Sequence, residues 1–262
     1  MKNPIFDIEN WREIGATLAR NKTRTFLTAF GIFWGTAMLA MLWGGAHGME
    51  GMLRRNFAGF TTNLGAVFPG QTSISFKGFN KGMQWTMTQN DVDAIRRITP
   101  NIEYSTTICQ NYGTIQYGTQ SKQAQIIGYE PDFSKILLPV IYSGRVLNES
   151  DESGSRKVAL IGKNIAAELF GTEEPVGKFI CAKGIYFLVA GVIGQTSEVN
   201  IGGRYDESVI IPSSTFRRAY NWGNQVNFFM YTADAGHAPS ELKPYIIRAI
   251  CANHPISPED DK

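Results

Sequence analysis

Residues 157–194 read KVALIGKNIAAELFGTEEPVGKFICAKGIYFLVAGVIG, and the predicted fold rests on this stretch. It opens with Lys157–Ile161, an apolar run of strand length, after which Asn164 is placed to cap a short helix. Gly171 follows the last apolar pair of that helix, where a residue with a left-handed backbone commonly ends a helix. Two more apolar strands flank Lys183-Gly184, a pair typical of tight turns. A strand, a helix and a strand pair in succession indicate a mixed α and β domain.

Short strands and helices continue outward from this stretch in both directions. Upstream, Thr88–Asp91 has the composition of a capping box, which predicts a helix that stops before Pro100. Downstream, Val209–Ile211 is predicted as a strand, with Ser213 or Ser214 capping the next helix. The other predicted strands are residues 72–77, 103–109, 112–117, 124–128 and 226–232.

A last helix is predicted from Pro244, since proline is tolerated at the first helical position. Its apolar spacing would present Ile247, Ile250 and Cys251 to a core. No internal repeat and no low-complexity linker appears in this part of the sequence. Helices and strands in mixed order predict an α+β fold for the chain after residue 63.

An uncharged segment of membrane-spanning length lies near the N-terminus. Phe26–Trp43 reads FLTAFGIFWGTAMLAMLW, and a helix of this length is about 27 Å long, close to the ~30 Å hydrocarbon core of a bilayer. The basic residues just before it are Arg12, Arg20, Lys22 and Arg24. Positive charge favours the cytoplasmic side, so we expect the N-terminus inside and the rest of the chain outside. The alternatives are a buried soluble helix and a cleaved signal peptide, whose charged region would be unusually long here.

Segments on both sides of the span are predicted to be helical. Residues 6–19 carry apolar side chains at helical spacing, which indicates an amphipathic helix in the membrane interface. Residues 44–63 continue with helical character and would lead the chain away from the membrane. The N-terminal part is therefore divided into a cytoplasmic or interfacial segment (1–25), a transmembrane helix (26–43) and a helical extension (44–63).

Composition and cysteine spacing exclude several classes of function. The net charge is +2, and no run of Lys and Arg interleaved with aromatic residues follows residue 60, so nucleic acid is not an expected partner. Cys109, Cys181 and Cys251 form no CxxC pair, so neither a zinc site nor a thioredoxin-like site is expected. We predict that they are small core residues. One disulfide is the alternative, and the sequence does not choose the pair.

The sequence contains no recognisable catalytic constellation. Its three histidines are His47, His237 and His254. They lie in no motif, and neither HExxH nor GxSxG occurs. Asp91 and Asp93 point to different helix faces and cannot form an acid–base pair by themselves. Gly202-Gly203 lacks the lysine and the strand-to-helix context of a phosphate-binding loop. We therefore expect no catalytic, cofactor-binding or metal-binding residues and no ATP hydrolysis by this chain.

A series of short motifs resembles the MacB-like and FtsX-like ABC transporter permeases. Residues 21–32, NKTRTFLTAFGI, are similar to the opening of the family's first transmembrane helix. The most specific string comprises LIG at 160–162, LFG at 169–171, PVGK at 175–178 and VAGV at 189–192. Further motifs follow the family's order: FPG at 68–70, GYEPDF at 128–133, SGR at 143–145 with Asp151, and VIIP at 209–212. The resemblance covers nearly the whole chain, and its glycines and prolines punctuate strand–turn–helix joints without carrying a reactive group.

The resemblance implies an N-terminal transmembrane helix followed by a two-lobed MacB-like periplasmic core domain. A mixed α/β lobe would comprise residues 64–111 and 204–254, a β-rich lobe would be inserted at 112–203, and 255–262 would form a polar tail. The implied function is that of a permease subunit whose periplasmic domain transmits an ATP-driven conformational change for export, extraction or signalling. The implied partners are a separate ABC ATPase chain, a second permease copy or paralogue, a periplasmic adaptor and the lipid bilayer of the bacterial inner membrane.

Two departures from the family pattern accompany the resemblance. Family permeases usually have three further transmembrane helices after the exported domain, whereas this sequence ends at Lys262 after polar residues. In macrolide exporters an ATPase domain precedes the first span, whereas 25 residues precede it here, so the ATPase is expected on another chain. The chain would then be a truncated or degenerate permease. The alternative function is a single-span sensor or adaptor domain without an ATPase partner.

Overall fold

The computed structural model describes residues 19–56, 63–195 and 202–260, together with Arg12 and Gly15. The chain forms two units, an N-terminal unit of residues 1–55 and a folded domain of residues 56–262. The N-terminal unit is dominated by helix α1, Lys22–Asn56, whose last residue belongs to the second unit.

Helix α1 contains the predicted membrane span. Its portion Lys22–Glu50 is long and apolar enough to cross a bilayer, and none of it is buried. Large apolar side chains are exposed along it, with Leu39 67% and Trp43 72% accessible. Exposure of this kind is unfavourable in water, so Phe26–Trp43 is confirmed as a candidate membrane span by length and composition. Most of the predicted interfacial helix at 6–19, and residues 57–62 of the predicted extension, lie outside the described residues.

The domain is built on a nine-stranded sheet and a separate two-stranded ladder. In chain order its elements are β1 (Leu64–Val67), β2 (Met87–Thr88), α2 (Gln89–Ile98), β3 (Ile102–Tyr117), β4 (Gln120–Tyr129), α3 (Phe133–Leu137), β5 (Val140–Gly144), α4 (Glu149–Ser153), β6 (Val158–Gly162), α5 (Lys163–Phe170), β7 (Phe179–Ala182), β8 (Ile185–Gly194), a 3-10 turn (Tyr205–Glu207), β9 (Ser208–Pro212), α6 (Ser213–Ala219), β10 (Gln225–Val226), β11 (Phe228–Ala233) and α7 (Pro239–Asn253).

The large sheet mixes parallel and antiparallel strands. Its order is β1-β11-β3-β4-β9-β6-β8-β5, with β7 paired to β3 and β8, while β10 and β2 form the small ladder. The β4–β9 and β6–β8 pairs are parallel, and the other ladders are antiparallel. Helices and strands therefore follow one another in mixed order around a mixed sheet, which confirms the predicted α+β class.

The central strands are buried on both faces of the sheet. Ile126 and Ile127 belong to different core clusters, as do Leu160 and Ile161. Because side chains alternate across a strand, each pair places one residue on each face. Helices α5 and α6 cover one face, and α3 covers the other. This burial explains why the central strands read as continuous apolar runs rather than as an alternation of apolar and polar residues.

A third core cluster lies between β11, α2 and α7. It contains Ile95, Phe229, Ile246 and Ile250, all buried. The predicted lobe boundary at 111/112 falls inside β3, which runs unbroken from Ile102 to Tyr117. The division into a lobe of residues 64–111 and 204–254 and an inserted lobe of 112–203 stays a prediction.

Several predicted elements are confirmed near their predicted bounds. Helix α2 follows Thr88 and ends at Ile98, before Pro100, and Asp91 reaches back to the Thr88 backbone N–H at 2.8 Å. Lys183 and Gly184, with φ of 50° and 84°, form the turn between β7 and β8. These elements depend on neighbouring residues alone, which explains the agreement.

Other local predictions were wrong. Thr72–Lys77 is not a strand: within this segment only Phe76 forms an isolated bridge, which pairs it with Phe79. Helix α5 starts at Lys163, before the predicted cap Asn164, since the chain leaves β6 directly into the helix at Gly162. Pro212, rather than Ser213 or Ser214, precedes the first residue of α6.

The last helix begins at Pro239 instead of Pro244. Pro239 occupies the tolerated first position, and Pro244 lies inside the helix. The residues that α7 buries are Leu242, Ile246, Ala249 and Ile250. Ile247 and Cys251 are only partly buried, so two of the three predicted core residues lie at the margin of the buried stripe. The packing of α7 against α2 and β11 sets which stripe faces inward.

Candidate functional site

The strand that follows α1 in the chain lies at an edge of the large sheet. Residues 57–63 connect α1 to β1, and β1 is hydrogen-bonded to β11, from Leu64 opposite Thr232 to Val67 opposite Phe229. The ladder continues at Asn63, whose carbonyl accepts a 3.0 Å hydrogen bond from the Ala233 N–H. We call β1, α2, α7 and residues 255–260 the junction, since β1 is the first strand that follows α1 in the chain.

A buried carboxylate joins the start of α2 to the end of α7. Asp91 is fully buried, and its Oδ2 accepts hydrogen bonds from the Thr88 backbone N–H and hydroxyl, both at 2.8 Å. Asn253 Nδ2 donates to Oδ1 at 2.8 Å, and His254 Nε2 lies 2.9 Å from Oδ2. Burial by itself would raise the pKa of Asp91, but these hydrogen bonds outweigh it and leave the pKa below its usual value. Asp91 is thus ionised in the fold, and its carboxylate joins the start of α2 to the end of α7.

Residues 255–260, the last that the structure describes, contact the same region. Asp260 accepts hydrogen bonds from the backbone N–H and the hydroxyl of Ser73, each at 2.7 Å. Ile256 is buried in the cluster between α2, α7 and β11. Residues 255–260, which the sequence assigns to a polar tail, therefore pack on the domain. As a result, the chain segments near both ends of the domain meet in the junction.

An apolar cavity of about 400 Å³ lies between β1 and α7. Its walls are mainly aliphatic and aromatic, including Val67, Trp85 and Ile250. The Tyr231 hydroxyl donates to the Pro239 carbonyl at 3.2 Å and so links β11 to the start of α7 beside this cavity. A volume of this size falls within the ~300–1,000 Å³ typical of ligand sites.

Thr88 and Trp85 are the neighbours of the Asp91–His254 pair. The Thr88 hydroxyl donates a hydrogen bond to Asp91 at 2.8 Å. The ring centroids of Trp85 and His254 lie 5.2 Å apart, and the two rings are tilted by 54° to each other. Among the described residues no group of three or more His, Cys, Asp or Glu side chains could hold a metal ion.

The other residues considered from sequence do not converge on one place. His47 lies on α1, where its Nδ1 is 3.2 Å from the Trp43 carbonyl oxygen, and His237 lies in the loop before α7. The three cysteines are unpaired; Cys109 is buried, and burial raises its pKa to about 11. Sequence reasoning missed the contact of His254 with Asp91. The capping box marked Asp91, but nothing local links it to a histidine 163 positions away.

Two residues of the motifs make close contacts within the domain. A Cβ at Gly162 would lie 2.2 Å from the Tyr205 carbonyl oxygen, so only glycine lets β6 approach the 3-10 turn. Arg145 of the SGR motif forms two hydrogen bonds with buried Asp151, at 2.6 and 3.2 Å. Burial opposes ionisation of Asp151, but these bonds keep its pKa below the usual value. Gly162 and Arg145 thus each make a close contact within the domain.

The sequence profile of the MacB-like periplasmic core domain matches residues 25–249. The chain belongs to this family. Its fold is similar to that of solved structures: the periplasmic region of MacB from Actinobacillus actinomycetemcomitans aligns with a TM-score of 0.64 at 18% identity, covering 77% of this chain and 88% of that one. The extracellular domain of YknZ, described as a noncanonic ABC-type transporter from Gram-positive bacteria, aligns with a TM-score of 0.58 at 16% identity, covering 66% and 86%. The MacB-like periplasmic core assignment thus rests on sequence and fold together.

Several relatives of this MacB-like chain are ABC transporter permeases by name. The macrolide export ATP-binding/permease protein MacB of Syntrophobacter fumaroxidans is 27% identical over 75% of this chain and 28% of its own length. The pyoverdine export ATP-binding/permease protein PvdT of Pseudomonas aeruginosa is 25% identical over 82% of this chain and 32% of its own length. The chain therefore spans about a third of the length of these relatives.

Proposed function

We propose that this chain is the N-terminal part of an ABC transporter permease subunit, whose extracytoplasmic MacB-like domain transmits an ATP-driven conformational change. The observation that carries the proposal is the order of parts: an unburied apolar helix is followed, after residues 57–63, by the edge strand of a MacB-like domain. In this proposal α1 is anchored in the bacterial inner membrane with its N-terminus in the cytoplasm. ATP is hydrolysed by an ABC ATPase on another chain.

The junction supports a mechanical role. A load on β1 passes through its ladder to β11, and β11 is paired in turn with β3. The same load reaches α7, because β11 and α7 share the cluster that contains Phe229 and Ile250. Packed cores transmit such displacements since they are dense and hardly compressible. The proposed assembly contains two permease copies or paralogues and a periplasmic adaptor, and its substrate is exported, extracted or sensed outside the membrane.

The proposal is tested by inserting a flexible linker between α1 and β1. The full chain is purified from its native membrane, and co-purifying proteins are screened for an ATPase carrying a GxxxxGK[ST] phosphate-binding motif. Hydrogen exchange is then measured with and without ATP and vanadate. We expect nucleotide-dependent exchange in β1 and α7, and its loss when ten Gly/Ser residues are inserted between Thr62 and Asn63. The same insertion between Thr119 and Gln120, at the β3–β4 hairpin tip, is the control and should preserve the response.

Two results would contradict the proposal. One is a purified chain that brings down no ATP-binding protein, which would favour a single-span sensor or adaptor. The other is a nucleotide response that survives the insertion before Asn63, because a flexible linker of that kind cannot pass a displacement from α1 to β1.

A further inference from the structure

Residues 71–84 form a small hairpin between β1 and β2, which we call the 71–84 hairpin. Gln71 is bridged to Gln84 at its base. At its tip Phe76 and Phe79 exchange two backbone hydrogen bonds of 3.1 and 2.9 Å. The two residues between them, Lys77-Gly78, have φ of 48° and 84°, the positive values that a two-residue hairpin turn requires.

The tip of this hairpin differs from the domain's other Lys-Gly turn. Lys183-Gly184 has nearly the same backbone, with φ of 50° and 84°. Its neighbours face inward, because Ala182 is buried and Ile185 packs against a core cluster. In the 71–84 hairpin, by contrast, the Phe79 side chain is 49% exposed. The same turn thus presents a large apolar ring to its surroundings in one place and buries its flanks in the other.

The 71–84 hairpin carries positive charge and no negative charge of its own. Its ionisable residues are Lys77 and Lys81, both exposed, and no Asp or Glu occurs between Arg55 and Asp91. Lys77 Nζ lies 5.3 Å from the centroid of the Phe76 ring, so a cation and an aromatic ring lie side by side at the tip.

A carboxylate contacts the hairpin at its base. Asp260 is buried, and it accepts hydrogen bonds from the backbone N–H groups of Ser73 and Ile74, at 2.7 and 3.4 Å. These bonds attach the base of the hairpin to the domain. The exposed tip therefore combines a phenylalanine ring with two lysine side chains.

A lipid surface matches this combination in chemistry and in size. Aromatic rings enter the boundary between head groups and acyl chains, and lysine is attracted to anionic phospholipid. A specific protein partner ordinarily covers about 800 Å² on each side, more than the tip of a 14-residue hairpin supplies. A weak lipid contact suffices, because a chain anchored through α1 is held beside the membrane at an effective concentration in the millimolar range.

We propose that the 71–84 hairpin contacts the surface of the membrane in which α1 is anchored. Phe79 enters the head-group region, and Lys77 and Lys81 contact anionic phospholipid head groups. The domain then has a second attachment to the bilayer besides its covalent link to α1. The proposal rests on the membrane anchoring of α1 and is independent of the ATP-driven role.

Lysine footprinting of the native full chain tests the contact. The chain is placed in nanodiscs of phosphatidylcholine, with or without about 30% phosphatidylglycerol, and acetylated with N-hydroxysuccinimidyl acetate. We expect phosphatidylglycerol to slow acetylation of Lys77 and Lys81 about threefold relative to Lys183. About 0.5 M NaCl should reverse the effect by screening the charges. Lys183 is the matched control, since it is exposed, opens the other Lys-Gly turn and lies 5.9 Å from the centroid of the Tyr220 ring.

A second readout places the tip relative to the lipid. Asn80→Cys, next to Phe79 and exposed, is labelled with bimane after Cys181 and Cys251 have been replaced by Ser. Phosphatidylcholine with a nitroxide on its head group should quench this label about twofold. The quenching should be lost when Phe79→Ser is combined with Lys77→Gln and Lys81→Gln. These positions are solvent-exposed, so the substitutions leave the core intact.

The control label is Thr119→Cys, at the exposed and uncharged tip of the β3–β4 hairpin, which should not be quenched. Quenching at position 80 no greater than at 119, or acetylation of Lys77 that phosphatidylglycerol does not slow, would overturn the proposal. Protection of Lys77 that requires a co-purified protein would assign the hairpin to a protein partner and reject the lipid contact. Insertion of the chain into the nanodiscs is measured first, so a failure of the membrane anchor is distinguished from a failure of the hairpin contact.

Discussion

His254 Nε2 lies 2.9 Å from Asp91 Oδ2, so the end of α7 is joined to the start of α2 through a buried carboxylate. The same carboxylate group accepts hydrogen bonds from Asn253 and from both donors of Thr88. Two helices that lie far apart in sequence thus share one acceptor, and this tie lies in the region where the chain from α1 enters the domain.

Replacement of Asp91 by Asn should destabilise the domain. Hydrogen bonds to a charged group contribute about 1.5–3 kcal/mol each, so we expect a loss of about 2 kcal/mol in the free energy of unfolding at pH 7. The measurement is denaturant unfolding of the full chain in nanodiscs. Asp93→Asn on the exposed face of α2 is the control and should change the free energy by less than about 0.5 kcal/mol.

The effect of Asp91→Asn should depend on pH. The pKa of Asp91 in the folded domain lies below its usual value of 3.8, so the carboxylate stabilises the fold above about pH 4. This contribution is lost as the pH falls through the folded pKa. The difference in the free energy of unfolding between the parent and Asp91→Asn should therefore shrink as the pH is lowered from 5 to 3. An unchanged difference across that interval would mean that Asp91 is not held ionised.

The contribution of Glu152 to stability should depend on pH in the opposite sense to that of Asp91. Burial raises its pKa, and the nearby Glu130 adds to this effect, although Ser214 donates a 2.8 Å hydrogen bond to Oε1. Oε2 is buried without a hydrogen-bond partner among the described residues. A raised pKa means that stability is lost as the pH rises above about 4.5, because the ionised form is disfavoured in the fold.

Replacement of Glu152 by Gln should accordingly stabilise the domain by about 1 kcal/mol at pH 8, since it removes the cost of a buried, incompletely paired carboxylate. The gain should vanish near pH 4. Thermal melting at the two pH values provides the measurement, with exposed Glu149→Gln as the control. A lower melting temperature for Glu152→Gln at pH 8 would show that the charged form of Glu152 is favoured after all.

Gly171 should tolerate no side chain. The positive φ predicted at this position is confirmed, but its φ of 60° and ψ of −110° lie outside the left-handed helical region that asparagine also adopts. A Cβ would meet nothing within 4 Å, so any cost comes from the backbone alone. We expect Gly171→Val and Gly171→Asn each to lower the free energy of unfolding by about 1–2 kcal/mol. Gly70→Val, at an open position without positive φ, is the control; a fully tolerated Gly171→Asn would contradict the assigned conformation.

The exported domain should fold without α1. The sequence places the soluble domain at residues 64–254, but Ile256 and Asp260 make contacts that this fragment lacks. Burial of one Ile contributes about 1.5–3 kcal/mol. We therefore expect the 63–260 fragment to give a cooperative thermal transition and the 64–254 fragment to melt at least about 4 °C lower. Equal melting temperatures would show that residues 255–260 add nothing to stability.

The N-terminus should lie in the cytoplasm. The motivating observation is the set of basic residues before Phe26, of which Arg12 and Arg24 are examples. Alkaline phosphatase fused after position 100 should be active, because that enzyme forms its disulfides outside the cytoplasm. A cytoplasmic reporter fused at the same position should be inactive, and the reverse pair of results would invert the orientation.

Structural features that depend on neighbouring residues could be predicted from the sequence. The uncharged run Phe26–Trp43 marks a helix of membrane-spanning length, and Thr88 with Asp91 marks the start of α2. Lys183-Gly184 marks the turn of a β-hairpin. Each of these features depends on residues a few positions apart, whose hydrogen bonds and backbone preferences operate in any context.

The junction is decided by tertiary structure. The pairing of Leu64 with Thr232 places β1 at the sheet edge, and the packing of α7 against β11 determines that Ile246 is buried while Ile247 is only partly buried. The contact of Asp260 with Ser73 spans 187 positions. No short-range pattern specifies such partners, because the burial that favours them exists only once the distant segments have packed together.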